Sequence, residues 1–435
     1  MKTESQVVVR PARSLRGSIS LPGDKSISHR YAMLSAIAEG PSQLENYSTG
    51  ADCASTLSCL RSLGVKWERK SKNGTGENAI EVQGSGLALH APTEPLDCGN
   101  SGSTIRMLSG IVAGQKFSAE MAGDESLSRR PMERVITPLT AMGAKIESQN
   151  GRPPLQITGG NLKAIHYKMP VASAQVKTCL LFAGLLADGE TLIEEPLRTR
   201  DHGEVALKAF GAQLERKGNE ASIRGGQKLR GIQALIPGDL SSAAFFLCAA
   251  ALFPGSQLTI TNLLMNPTRA RLLDILMQIG LHISVTQLEE VNGELVGTLQ
   301  VEGGKLKGAT IAGADTAALI DEIPVLAAIA PYTENGIEVR DAKELRVKES
   351  DRIASIATNL SAMGAQLEQR EDGLKIPGRQ SLHGTELDSF GDHRIAMAFS
   401  IAALRAHGDT LVRGSDSASI SYPEFFTVLE LIVER

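Results

Sequence analysis

Two kinds of apolar pattern alternate along the chain. The first is apolar nearly all round, built largely from small side chains and opened by polar residues. It occurs as SISHRYAMLSAIAEG, NSGSTIRMLSGIVAG, SAQVKTCLLFAGLLADG, DLSSAAFFLCAAALFPG, DEIPVLAAIA and DHRIAMAFSIAALRAHG, opening near residues 26, 100, 173, 239, 321 and 392. A helix without a polar stripe offers no face to water, so each copy predicts a buried helix. Most copies run into Gly and then a short strand pattern such as TLIEE, QLTITN, GIEVRD or TLVRG.

The second pattern is amphipathic and turns through Gly into a strand: DCASTLSCLRSLGVKWE, PMERVITPLTAMGAKIE, DHGEVALKAFGAQLE, NPTRARLLDILMQIGLHIS and ESDRIASIATNLSAMGAQLE. Gly64, Gly143, Gly211, Gly280 and Gly364 fall where the residue after a helix takes positive φ. Asn266–Pro267 reads as an N-cap followed by Pro at the first helical position. The sixth amphipathic helix, PEFFTVLELIV (423–433), has no strand behind it, and QVVVR (6–10) is the candidate to supply one, which places both termini in one domain.

Six repeats divide as three and three. LPGDKSIS (21–28) opens the first triplet and IPGDLSSA (236–243) the second. Pro–Gly followed by an Asp or Ser cap is also an ordinary helix start; the sixfold spacing makes it a boundary marker here. The expected fold class is α/β: two domains, each with three repeated folding units around buried parallel helices. Residues 22–236 form one domain, and 1–21 with 237–435 the other.

Composition changes this picture little. The chain has 435 residues, with 42% hydrophobic and 22% charged, which suits two domains. A net charge of -4 gives no global field for nucleic acid, so any anion site must come from local Arg and Lys. The start, MKTESQVVVRPARS, lacks the apolar region of a secretory signal, and the longest apolar run, Ala243 to Phe253, is too short to span a bilayer. No partner nucleic acid or membrane is expected. Five cysteines without a C-x-x-C pair argue against disulfides or zinc and for reduced thiols in cytoplasm.

The candidate chemistry gathers at the starts of the buried helices. There stand Lys25, His29 and Arg30; Asn100 and Arg106; Gln175 and Lys177; and Asp321, Glu322, Asp392, His393 and Arg394. Helix N-termini attract anions through free N–H groups and the helix dipole. SLSRRPM (126–132) adds Arg129 and Arg130 ahead of a Pro that begins a helix. ELRVKESDR (344–352) adds Arg346, Lys348 and Arg352 around Glu349 and Asp351. Facing cations repel until an anion neutralises them, so the expectation is a two-domain enzyme that closes on small phosphorylated or carboxylated molecules. No G-x-x-x-x-G-K-[ST] occurs, which disfavours a P-loop kinase.

LPGDKSISHR, DCGNSGSTIR, GDESLSRRPM, SAQVKTCLLFAGL, RDH, DEIPVLA, ELRVKESDR and DHRIAMA together resemble the 3-phosphoshikimate 1-carboxyvinyltransferase (EPSP synthase) family, over residues 10 to 430. The resemblance implies the inside-out form of the two-domain α/β fold. It also implies transfer of the enolpyruvyl group of phosphoenolpyruvate to the 5-hydroxyl of 3-phosphoshikimate, with release of phosphate and with no metal or organic cofactor. By motif, Lys25, Ser26, Arg30, Ser173, Ala174, Gln175, Arg200, Asp321 and Lys348 would bind 3-phosphoshikimate. Lys25, Gly102, Arg130, Gln175, Arg352 and Arg394 would bind phosphoenolpyruvate. Asp321 would be the base on the 5-hydroxyl, Glu349 would give and recover the proton at the methylene carbon, and Lys25 would help move protons. An alcohol adding to an enol ether needs a base at oxygen and an acid at carbon, so the roles fit the chemistry.

Without the resemblance, Asp321 reads first as an N-cap on DEIPVLAAIA and Glu349 as an exposed partner of Lys348. His29 and His393 read as orienting residues. The chain departs from one branch of the family: Ala174 replaces a second Ser, Ile420 replaces a C-terminal Lys, Glu344 replaces Asn, and Arg200 would make up lost phosphate contacts. Gly102 leaves room for glyphosate, so inhibition is expected. The rivals are an enolpyruvyl transferase acting on UDP-N-acetylglucosamine, which needs a reactive cysteine on a mobile loop, and a non-catalytic anion-binding scaffold. A monomer is expected.

Overall fold

The computed structural model describes residues 5–70 and 78–435, so the first four residues of the N-terminal stretch discussed above lie outside it. The chain forms two compact units. One comprises the chain up to Pro22, Pro237–Glu289 and Leu295–Arg435; the other comprises Gly23–Ile236 and Glu290–Glu294.

The six all-round apolar runs are helices α1 (Lys25–Ile37), α2 (Gly102–Ala113), α3 (Ala174–Leu186), α4 (Leu240–Ala251), α5 (Ile323–Ile329) and α6 (His393–Ala403). Every residue of α4, α5 and α6 is buried. Five of the six are capped by a side chain at the residue before them. Asp24, Ser101, Ser173, Asp239 and Asp392 each accept a hydrogen bond from a backbone N–H in the first turn, which satisfies donors a buried helix end would otherwise strand. Within the Gly23–Ile236 unit, α2 and α3 approach closely at Gly110, where a Cβ would lie 2.1 Å from the carbonyl oxygen of Cys179.

In the second, third and fifth repeats the buried helix lies between two parallel strands and the amphipathic helix precedes an antiparallel pair. Leu96–Asp97 pairs in parallel with Ser118–Ala122 across α2, then Arg152–Thr158 and Lys145–Gln149 follow antiparallel. The sheet His166–Lys168, Glu190–Glu194, Glu220–Arg224, Leu214–Lys217 repeats that order around α3. So does the sheet Ala309–Ile311, Ile337–Val339, Gly373–Ile376, Glu368–Arg370 around α5. In the first repeat the leading strand, Gln233–Leu235, comes from the far end of the triplet and pairs in parallel with Glu39–Glu45. Gln6–Val9 pairs antiparallel with Thr410–Arg413 in the sixth sheet. The glycines that end the amphipathic helices have φ of 86°, 109°, 91°, 110° and 89° at Gly64, Gly143, Gly211, Gly280 and Gly364, where a side chain would be strained.

Three local expectations are corrected. The sixth amphipathic helix, Phe425–Ile432, is followed by a two-residue strand, Val433–Glu434, which pairs with Ser14 and Leu15. Asn266 does not cap a helix: its side chain accepts from the amide and hydroxyl of Thr268 in a turn, and the helix starts at Arg271. Asn side chains compete well for nearby backbone donors, which favours the turn. The helix after Arg130 starts at Glu133 rather than at Pro131.

Candidate active site

The unit Gly23–Ile236 gathers the starts of α1, α2 and α3, so the three helices run alike. Arg30, the sixth residue of α1, gives its Nε and Nη2 to Thr178 Oγ1 of α3 at 3.2 and 2.9 Å, and Nη1 to the carbonyl of Ser26 at 2.8 Å. Arg106 Nη1 of α2 donates to Gln175 Oε1 of α3 at 2.9 Å, and Gln175 Nε2 donates to Ser103 Oγ at 2.9 Å. Ser173, Ala174 and Gln175 open α3 half-buried. Lys25 Nζ sits 3.0 Å from Asp52 Oδ2, a partner the sequence did not suggest.

Arg130 is buried and donates Nη2 to Asn100 Oδ1 at 2.7 Å. A Cβ on Gly102 would lie 3.1 Å from Arg106 Nη1 and 3.2 Å from Arg130 Nη1. Both guanidinium groups therefore face the open backbone at the start of α2. Arg129 does not join them: it is exposed and pairs with Glu125 at 2.7 Å.

Charges of both signs surround Arg30. Burial pushes the Arg30 guanidinium down to about 10; Asp24, Glu204 and Glu294 oppose that, and the charge of Arg200 adds to it. An anionic ligand would relieve both effects. His29 is held well below the usual imidazole range, first by burial and then by Lys25 and Arg30. It is neutral near pH 7 and serves a hydroxyl chain. His29 Nδ1 lies 2.7 Å from Thr56 Oγ1, Thr56 lies 2.7 Å from Thr104 Oγ1, and Thr104 donates to Ser101 Oγ at 2.8 Å. That chain sets the spacing between the starts of α1 and α2.

The other unit gathers α4, α5 and α6 in the same way. Asp321 does not cap α5, which has no side-chain cap. Its carboxylate instead faces Lys348 Nζ at 3.5 Å and Arg352 Nη1 at 3.7 Å. Arg352 gives Nη2 to Glu349 Oε2 at 2.6 Å, and Nε and Nη2 to Asp392 at 2.8 and 3.2 Å. Its side chain is 1% exposed, yet Nη1 has no hydrogen-bond partner among the described residues. Burial works against the charge of Arg352, but Asp392, Glu349 and Asp321 outweigh it and hold its pKa above the ordinary value. Asp392 caps α6, and Arg352 holds its carboxyl below the usual range against the effect of burial.

Arg394 gives Nη1 to the carbonyl of Asp321 at 2.6 Å and lies 3.8 Å from Glu322. Glu322 also receives the hydroxyl of Ser241, which accepts Arg269 Nη2 at 2.5 Å. Arg269 and Ser241 escaped sequence reasoning. Nothing local separates Arg269 from Arg271 two residues on, which turns instead to Asp315 at 2.6 Å. Arg346 pairs with Asp351 of the predicted cluster at 2.8 Å and donates to the carbonyls of Arg370 and Glu371. Thus Lys25, Ser26, Arg30, Gly102, Arg130, Ser173, Ala174, Gln175 and Arg200 belong to one unit, and Asp321, Lys348, Glu349, Arg352 and Arg394 meet in the other.

All five cysteines are buried. Burial raises the thiols of Cys53, Cys179 and Cys248. Among the described residues no helix is long and apolar enough to cross a membrane.

Comparison with known proteins agrees with the motifs. Residues 9–429 match the family model described as EPSP synthase (3-phosphoshikimate 1-carboxyvinyltransferase). The chain is 57% identical to the 3-phosphoshikimate 1-carboxyvinyltransferase of Koribacter versatilis, covering 99% of each chain. It is 54% identical to that of Solibacter usitatus, over 98% of this chain and 99% of the relative. Among solved structures it is similar to the EPSP synthase of Acinetobacter baumannii, with a TM-score of 0.87, 40% identity and coverage of 99% and 98%. The enolpyruvyl transferase NikO of Streptomyces tendae, 19% identical with a TM-score of 0.80, shares the fold. Over nearly its whole length, then, the chain belongs to the EPSP synthase (3-phosphoshikimate 1-carboxyvinyltransferase) family.

Proposed function

We propose that the protein transfers the enolpyruvyl group of phosphoenolpyruvate to the 5-hydroxyl of 3-phosphoshikimate and releases phosphate, a step of the shikimate pathway. The observation that carries this reading is the placement of Asp321. Its carboxylate faces Lys348 and Arg352, with Glu349 on the same guanidinium, where a merely structural aspartate would cap α5.

The residue roles in this reading are those carried over by motif. Lys25, Ser26, Arg30, Ser173, Ala174, Gln175 and Arg200 hold 3-phosphoshikimate, together with Lys348. Arg130 takes the phosphate of phosphoenolpyruvate beside Gly102 and Lys25. Arg352 and Arg394 take its carboxylate, and planar guanidinium groups suit that anion. The carboxylate also gives the buried Nη1 of Arg352 an acceptor.

Asp321 removes the 5-hydroxyl proton as the oxygen bonds to C2 of phosphoenolpyruvate. Glu349 gives a proton to the methylene carbon, forming a tetrahedral adduct. Glu349 then recovers a proton from the new methyl group as the C–O bond to phosphate breaks, leaving the enol ether and inorganic phosphate. Lys25 shares this proton traffic. The two carboxylates amid cations suit a reaction whose substrates are anionic and whose transition states gain positive character at carbon. The active species is read as a cytoplasmic monomer, which light scattering of the purified chain checks for size.

A phosphate-release assay with both substrates tests the activity. Release that requires 3-phosphoshikimate supports it. Release with UDP-N-acetylglucosamine in its place, or none with either acceptor, overturns it. The buried cysteines already weigh against the nucleotide-sugar reading, which needs a reactive thiol.

A further inference from the structure

Segment 195–204 leaves the strand Glu190–Glu194, carries Arg200, and starts the helix His202–Ala209. It is anchored twice. At its first residue, the fully buried Glu195 accepts Lys177 Nζ at 3.0 Å, Arg216 Nη2 at 3.0 Å and the amide of Thr199 at 3.1 Å. Its other end is held from far along the sequence. Asn292 and Gly293, with φ of 51° and 83°, turn a hairpin between strands His282–Val291 and Glu294–Glu302, and residues 290–294 are counted with the Gly23–Ile236 unit. There His202 Nδ1 donates to Glu294 Oε1 at 2.6 Å, with both side chains buried. Gly293 lies against Val205, where a Cβ would be 3.1 Å from Cγ1.

The helix start so held bears on two cations. Arg200 stands two residues before His202. Gly203, just after it, has room for no Cβ, because Thr178 Oγ1 lies 2.6 Å from where that atom would be. The same oxygen receives Nε and Nη2 of Arg30. Arg30 also feels the charges of Arg200 and of Glu294. A carboxylate buried at a hairpin tip costs desolvation that packing alone does not require.

We propose that Glu294, acting through His202, is a positioning residue for 3-phosphoshikimate: it fixes the start of helix His202–Ala209 so that Arg200 and Arg30 meet the ligand together. The inference rests on the substrate reading above. A displacement of about 1 Å at such a contact can cost up to ~100-fold. Glu294→Ala should therefore raise the Kd of 3-phosphoshikimate, measured by calorimetry, by roughly 10- to 100-fold, and leave the KM for phosphoenolpyruvate within about threefold. Glu294→Gln, which keeps an acceptor for His202, should recover most of the affinity. In a double-mutant cycle, Arg200→Ala should cost far less in the Glu294→Ala background than in the unmodified chain. If Glu294→Ala does not fold, Glu294→Asp, one methylene short of His202, takes its place in the same cycle. An unchanged Kd in a folded variant, an additive cycle, or equal changes for both substrates overturns the proposal. If the unmodified chain does not bind 3-phosphoshikimate at all, the functional reading falls and takes this inference with it. Binding that ignores position 294 removes the inference alone.

Discussion

Replacing Asp321 by Asn separates catalysis from binding. The substitution keeps the shape and removes the base. The carboxylate lies 3.5 Å from Lys348 Nζ and 3.7 Å from Arg352 Nη1, and its side chain is 20% exposed. At an effective dielectric of ~20 each contact is worth roughly 4–5 kcal/mol before solvent screening. Taking away that negative charge leaves two cations less neutralised, so anionic substrates should bind as well as before or better. Loss of a general base costs about 10²- to 10⁴-fold, or roughly 3–5 kcal/mol in the barrier. The expectation is a kcat lower by that factor with KM for both substrates unchanged or reduced. Steady-state phosphate release over a grid of both substrates measures this, with calorimetric binding of 3-phosphoshikimate as the control. A kcat within fivefold of the unmodified protein, or a raised KM at constant kcat, would refute the role assigned to Asp321.

Gly102→Ala would place a methyl 3.1–3.2 Å from Arg106 and Arg130, so those side chains must shift by a few tenths of an ångström. Glyphosate inhibition, expected of the unmodified protein, should weaken by more than about tenfold, with a smaller rise in the KM for phosphoenolpyruvate; equal inhibition of both proteins would rule out the crowding argument. Asp392→Ala strands the buried guanidinium of Arg352 and should destabilise folding by about 3–5 kcal/mol in urea titration. Because Asp392 and Glu195 sit below the ordinary carboxylate range when folded, their contribution is present above about pH 4 and is lost as pH falls through the folded values. The denaturant midpoint should therefore fall with acidification below about pH 4, and a flat profile there would contradict the shifts. The buried cysteines should resist a thiol reagent in the native state and all react after unfolding; fast native labelling would reopen the nucleotide-sugar reading.

What the sequence determined by itself is periodic or chemical at short range. An unbroken apolar helix must be buried wherever it lies, so the six buried helices could be read directly. A helix turning into a strand needs positive φ, so Gly64 through Gly364 marked those ends. Motif order brought Lys25, Arg130, Asp321, Glu349, Arg352 and Arg394 forward. One local signal went unused: Asn292–Gly293 is a hairpin turn in plain view, though nothing near it says where the tip will rest.

The tertiary structure decided which charge answers which. Arg352 meets Asp392 forty positions on, His202 meets Glu294 across 92, and Arg30 meets Thr178 across 148. Arg129 and Arg130 are neighbours, yet one pairs on the surface with Glu125 and the other is buried against Asn100. Side-chain pairing depends on distance and burial, and both are set by how helices and sheets pack. Residues of identical type and local context therefore acquire different chemistry only once the chain has folded.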